Sequence, residues 1–304
     1  MRPPKLFSIS TTGEVAAHLK VSAGEINHLL SRLDKQYFKR PRKKRDGTDR
    51  ILFVPSEKLK LLQRKIYDHI LSKVALLPCA KGGVSGSSPI DNAALHTNKA
   101  VVFKMDVAQC FPSIKPARVL AIFQALGFGP EAAGLLTKLT TWKNELPQGV
   151  PTSNALTNLA LARVDWRITC ASDQHGFTYS RWVDDLTITG SLRLLKFRGM
   201  FQRIVVDEGF QLKLEKTKTE LADERQTVLN FVVNTKVNLP RERRAAINKE
   251  VKTAHAQGGD LSPSTAGKMY WLRAVNSEVG GRLVDYVRSK PKVGGRELRR
   301  SSAS

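Results

Sequence analysis

The chain has 304 residues, 41% of them hydrophobic, and sets 50 Lys and Arg against 27 Asp and Glu, a formal net charge of +23. That excess is far beyond what solubility requires and implies a polyanionic partner, nucleic acid ahead of an anionic membrane surface. No apolar run approaches the roughly 20 residues of a membrane span, residues 1–5 lead into no signal-peptide core, and Cys79, Cys110 and Cys170 are odd in number without C-x-x-C spacing; a membrane span, a disulfide framework and a zinc site are unsupported, and a cytoplasmic protein of two or three lobes with reduced core cysteines is expected.

Residues 9–33 carry two helical patterns, with Val15, Ala16 and Leu19 on one face of the first and Ile26, Leu29, Leu30 and Leu33 on the second. Thr12 and Ser22 are the expected N-caps, and Glu25 stands three residues after Ser22 as in a capping box. A DNA-reading helix-turn-helix needs side chains that reach base edges. Only general amphipathicity is present, so a helical brace is the simpler reading. Lys35 to Arg50 is dense in Lys and Arg, with Asp46-Gly47 marking a turn and Tyr37, Phe38 and Ile51–Val54 flanking it. Charge runs are ordinarily solvated faces, but interleaved aromatics make this one resemble a basic hairpin laid over nucleic acid.

Pro55 opens a helical pattern through Leu59, Leu62, Ile66, Ile70 and Leu71 whose apolar stripe belongs to a core. The Gly- and Ser-rich loop over 81–89 lacks the G-K-[ST] ending of a phosphate-binding loop. Asn92 and His96 then share a helix face at i and i+4, placed to hydrogen-bond RNA or each other, although an isolated His is as readily a structural one.

The run V-V-F-K-M-D at Val101 to Asp106 is an apolar strand ending in a carboxylate. Phe177 to Gly190, F-T-Y-S-R-W-V-D-D-L-T-I-T-G, reads as strand, tight turn, strand with Asp184-Asp185 at the turn. Adjacent strand residues point to opposite faces, so two neighbouring Asp converge most easily where the alternation breaks. Alone, Asp-Asp is ordinarily a solvated turn. If the two strands lie side by side, Asp106, Asp184 and Asp185 form a cluster of hard oxygen ligands of the kind that holds Mg²⁺. Two such ions roughly 3.5–4 Å apart suit an in-line phosphoryl transfer, and the spacing suggests a polymerase palm.

Ala117 to Thr141 reads as helix, turn, helix, and Pro147-Gln148-Gly149 as a turn that leads into a helix through Leu156, Leu159 and Val164. Phe197 to Phe210 is a further helix, Lys213, Lys216 and Lys218 surround Thr217, and Thr227 to Asn234 reads as a strand. From Pro240 a basic helix carries Arg241, Arg243 and Arg244 and stops at Gly258-Gly259; a second pattern, Gly267 to Val275, presents Tyr270 and Trp271. The Gly-, Ser- and Lys/Arg-rich tail after Ser289 is expected to be flexible.

Taken together, F-K-M-D-V-A-Q-C-F-P-S-I, L-P-Q-G-V-P-T-S-N, W-V-D-D and L-E-K-T, in that order, resemble the bacterial reverse transcriptases, and N-A-A-L-H resembles the retron enzymes among them. The resemblance covers nearly the whole chain and implies an α+β right-hand polymerase fold. N-terminal helices and fingers would occupy 1–98, a palm of antiparallel sheet plus helices 99–238, and a helical thumb with a basic tail 239–304. It implies catalytic Asp106, Asp184 and Asp185, which with Val107 would hold two Mg²⁺ ions. Arg50, Lys44, Phe111, Gln148 and Lys216 would meet the nucleotide, Phe111 as a steric gate against a 2′-hydroxyl. Asn92, His96, Trp182, Arg241 and Arg244 would meet RNA or primer.

Implied partners are a structured noncoding RNA as template and primer, dNTPs, an RNA–DNA hybrid product used in antiphage defence, and an accessory effector protein. Trp182 stands where the family commonly has Tyr, and Val228-Leu229-Asn230 where retron enzymes usually carry V-T-G. Two alternatives stay open: another bacterial defence or mobile-element reverse transcriptase, and a catalytically inactive basic RNA-binding protein.

Overall fold

The computed structural model of the chain describes residues 6–43, 49–257 and 260–289. Lys44, the Asp46-Gly47 turn, the Gly258-Gly259 stop and the tail after Ser289 lie outside the described residues, and of Arg50 only the backbone is described. In chain order the elements are α1 (Thr12–Leu19), α2 (Ala23–Leu30), β1 (Tyr37–Lys43), β2 (Asp49–Pro55), α3 (Glu57–His69), α4 (Pro89–Ala94), β3 (Val101–Asp106) and α5 (Cys110–Ser113). There follow α6 (Pro116–Ala125), α7 (Pro130–Thr140), α8 (Ser153–Ala160), α9 (Ala162–His175), β4 (Thr178–Trp182), β5 (Asp185–Gly190), α10 (Arg198–Asp207) and β6 (Lys218–Leu221). The chain continues through β7 (Thr227–Val228), β8 (Phe231–Val232), α11 (Arg241–Ala256), α12 (Pro263–Val275) and α13 (Ser277–Ser289). A four-stranded sheet runs in the order β4-β5-β3-β6, so β3 and β5 are neighbours.

One compact unit comprises Met1–Ser87 with Phe103–Thr219. Thr11, one residue before the expected cap, closes α1: its Oγ1 accepts from the Glu14 amide at 3.3 Å while Glu14 Oε2 accepts from the Thr11 amide at 3.2 Å, the reciprocal arrangement of a capping box. Ser22 caps α2 by accepting from the Glu25 amide at 3.1 Å. Helices α1, α3 and α7 pack on one another through the fully buried Leu19, Leu59, Ile66 and Leu136. β1 and β2 form an antiparallel hairpin in register from Tyr37↔Pro55 to Lys43↔Asp49, so Pro55 ends a strand and Ser56, not Pro55, opens α3. Cys79 and Cys110 are buried as expected, but Cys170 is exposed and belongs to no core.

The other unit comprises Ser88–Val102 with Glu220–Ser304. Its core gathers Val228, Phe231, Val233, Leu239, Ile247, Val251, Met269, Leu272, Leu283 and Val284, with Ala93 and Val102. α12 and α13 meet so closely that a Cβ on Gly280 would sit 2.3 Å from the Arg273 backbone. The strand expected over 227–234 is instead a tight hairpin, β7 against β8. Leu229 and Asn230 both adopt left-handed φ, 50° and 67°, the geometry that twists two strands back upon each other through a two-residue turn. No helix among the described residues is long and apolar enough to cross a membrane.

Candidate active site

The hairpin β4–β5 pairs Trp182 with Asp185, leaving Val183 and Asp184 as its two-residue turn. Val183 has φ 58°. For a β-branched residue this is a genuine outlier, of a kind that costs on the order of 1–3 kcal/mol and persists only where surrounding structure over-determines it. Asp106 lies at the end of the neighbouring β3 and is 5% exposed. The Val107 amide donates to the Asp184 carbonyl at 3.0 Å, and the Lys213 amide to the Asp106 carbonyl at 2.8 Å, so two backbone hydrogen bonds tie the three carboxylate-bearing positions and the lysine-rich segment together.

The side chains sense one another. Asp185 is pushed from its ordinary value near 3.8 up to about 7, first by burial and then by the charges of Asp184 and Asp106, against the pull of Lys216. Lys216 Nζ donates to Asp106 Oδ2 at 2.6 Å. That hydrogen bond raises the lysine above its usual range, burial works against it, and the charges of Asp106, Asp185 and Asp184 add to the rise. Phe111 is 7% exposed on the short helix α5. It follows Cys110, whose thiol is raised to about 12 by burial and the Asp184 charge.

Among the described residues no group of three or more His, Cys, Asp or Glu is drawn into a ready metal cluster. The donor chemistry nevertheless fits hard divalent cations. The carboxylates are oxygen donors, they adjoin, and their mutual repulsion is what such a cation relieves.

The structure thus brings Asp106, Val107, Asp184, Asp185 and Lys216 together. Trp182, at the end of β4, and Gln148, between Pro147 and Gly149, are half-buried in the same unit. Asn92 and His96 belong to the other unit, 2% and 0% exposed; burial lowers the imidazole to about 4 and keeps it neutral. Both are buried in that unit, and α4 ends at Ala94, so His96 lies just past the helix rather than on one face with Asn92. Arg241 is exposed on α11 and Arg244 is half-buried.

Arg181, Asp165, Asn158 and Gly82 also belong to this region, although no motif in the sequence marks them. A signal was available. Arg181 interrupts a strand whose neighbours Tyr179 and Ser180 are buried, and a cation inside a buried strand needs a partner.

Residues 42–233 match the family described as reverse transcriptase (RNA-dependent DNA polymerase). The Retron Mx65 reverse transcriptase of Myxococcus xanthus is 33% identical to this chain, over 93% of it and 72% of the relative. The Retron Ec86 reverse transcriptase of Escherichia coli is 28% identical over 78% and 75% respectively. The chain belongs to the reverse transcriptase family and is an RNA-directed DNA polymerase. Within that family it is of the retron type.

Proposed function

We propose that this enzyme copies a structured noncoding RNA into single-stranded DNA, priming from an RNA 2′-hydroxyl, and that the RNA–DNA hybrid serves antiphage defence beside an accessory effector. The observation that carries the catalytic part is the Asp184-Asp185 turn set next to Asp106, with Asp185 displaced to about 7 by its neighbours. The retron part is supported by the relatives. In this reading residues 1–98 serve as fingers, 99–238 as palm and 239–304 as thumb.

Asp106, Asp184, Asp185 and the Val107 backbone would hold two Mg²⁺ ions, which when bound supply charge stabilisation at the phosphates. The chain's own groups do the rest. The primer 3′-hydroxyl attacks the nucleotide α-phosphate and pyrophosphate leaves. Arg50, Lys44 and Gln148 grip the nucleotide, a planar guanidinium matching phosphate bidentately. Phe111 blocks the position of a ribose 2′-hydroxyl, Trp182 supports the primer terminus, and Arg241 and Arg244 hold duplex phosphates without reading bases.

Lys216, its ammonium already beside Asp106, neutralises or protonates the departing pyrophosphate. Lys216→Ala is expected to slow single-turnover nucleotide addition roughly 10²-fold, within the usual range of a positioned proton donor, and to lower the melting temperature of the metal-free protein, because the buried Asp106 loses the cation it accepts from at 2.6 Å. Rapid-quench rates within twofold of wild type would remove this role.

The retron reading is tested by sequencing nucleic acid that copurifies from the native host. One abundant structured RNA joined to single-stranded DNA is expected. Heterogeneous RNA without attached DNA refutes the structured template and the 2′-hydroxyl priming.

A further inference from the structure

Arg181, a buried guanidinium, reaches three partners at once. Nε donates to Asp165 Oδ1 at 2.8 Å and Nη2 to Asp165 Oδ2 at 2.6 Å, a bidentate pair, while Nη1 donates to Asn158 Oδ1 at 2.9 Å and to the Val183 carbonyl at 2.8 Å. The last of these bonds lands on the strained residue of the carboxylate turn.

The start of the Gly- and Ser-rich loop is seated against the same hairpin. The Arg181 amide donates to the Cys79 carbonyl at 2.8 Å, and the Lys81 and Gly82 amides donate to the Arg181 carbonyl at 2.9 and 3.3 Å. Asn158 Nδ2 donates to the Gly82 carbonyl at 3.0 Å, so one amide side chain joins the loop to the guanidinium. The contact leaves no spare volume. A Cβ on Gly82 would stand 2.3 Å from the Val183 amide nitrogen and 2.7 Å from its Cγ2.

Stability alone is a poor reason for this arrangement, because a buried ion pair is often matched by a well-packed apolar substitute. An apolar substitute could not bond the Val183 carbonyl.

We propose that Arg181 and Gly82, linked through Asn158, are positioning residues that hold the Val183-Asp184 turn, and with it Asp184 and Asp185, in the geometry DNA synthesis requires. The proposal rests on the catalytic reading of those carboxylates.

The experiment compares Arg181→Lys and Gly82→Ala with wild type and with Gly199→Ala, whose Cβ meets nothing within 4 Å. Arg181→Lys keeps the charge opposite Asp165, but one ammonium cannot serve Asp165, Asn158 and Val183 together. Gly82→Ala leaves the buried pair untouched and presses on the turn alone. Amide hydrogen exchange of the metal-free protein is expected to rise at least tenfold across residues 182–186 in both variants and to stay at wild-type rates in α3 and α7. In primer extension kcat is expected to fall at least tenfold and the half-saturating free Mg²⁺ concentration to rise at least threefold, with Gly199→Ala matching wild type.

Unchanged exchange at 182–186 in Gly82→Ala overturns the proposal. So does increased exchange with kcat and Mg²⁺ half-saturation both within twofold of wild type. If Arg181→Lys unfolds, exchange rises everywhere in that variant and Gly82→Ala decides alone. A wild-type protein that extends no primer refutes the catalytic reading itself, while the exchange comparison still reports whether the turn is clamped.

Discussion

Asp184→Asn together with Asp185→Asn will abolish RNA-templated primer extension, by roughly 10³-fold or more, the equivalent of about 4 kcal/mol of transition-state stabilisation. The same protein will melt higher than wild type at pH 8. The first result follows from removing two of the carboxylates that would hold the metal ions, the second from the crowding of those carboxylates. Asp185 is a carboxyl raised from near 3.8 to about 7 in the folded state. The unfolded chain therefore ionises it first, and the native state is penalised progressively as pH rises from about 4 to about 7, fully above that. The penalty is on the order of 4 kcal/mol at pH 8 and vanishes below pH 4. Chemical denaturation of the metal-free protein at pH 5.5 and pH 8 checks it: wild type should lose stability over that interval, and Asp185→Asn alone should flatten the loss. A double variant that still extends primer, or a wild type equally stable at both pH values, contradicts this account of the site.

Arg181→Met will destabilise the protein by about 3–5 kcal/mol, the cost of leaving a buried charge without its partner. The orphan is Asp165, 1% exposed, which would keep only the Tyr179 hydroxyl, donating to its Oδ1 at 2.8 Å. Asp165→Leu alone should cost a similar amount by stranding the guanidinium. Replacing both together should recover much of the loss, because the penalty belongs to the unpaired charge rather than to the missing pair. Denaturant titrations of the four proteins measure this directly. If the two single losses simply add in the double variant, the pair is not coupled as its 2.6 Å contact indicates.

How much of this was legible in the sequence differs by residue for physical reasons. Asp106, Asp184 and Asp185 could be read because each breaks an apolar strand pattern, a local event visible within a few residues. Neighbouring strands then brought them together. Arg181 and Asp165 were hidden because each passes for an ordinary charge in its own segment; only the packing of α9 beneath β4 makes them partners. Gly82 looked like loop punctuation, while the reason for its missing side chain lies in Val183, far along the chain. Asn92 and His96 read as one helix face by their spacing, but α4 ends at Ala94 and both side chains are buried, a tertiary property that spacing does not carry. The segment 227–234 read as one strand because Leu seldom takes the left-handed conformation that Leu229 adopts here. The ends of α6 and α7 were close to expectation since Gly/Pro punctuation is a short-range signal, whereas α2 stops at Leu30, short of Leu33, and α12 starts at Pro263, four residues before the expected Gly267.

The crossing of α12 and α13 leaves its own mark on what this lineage can become. Every missense change at codon 280 adds at least one carbon where the Arg273 backbone already stands at 2.3 Å, so the two helices must part for any allele other than glycine. Packing alone sets the residue there, and a library randomised at that codon should return glycine among its folded members.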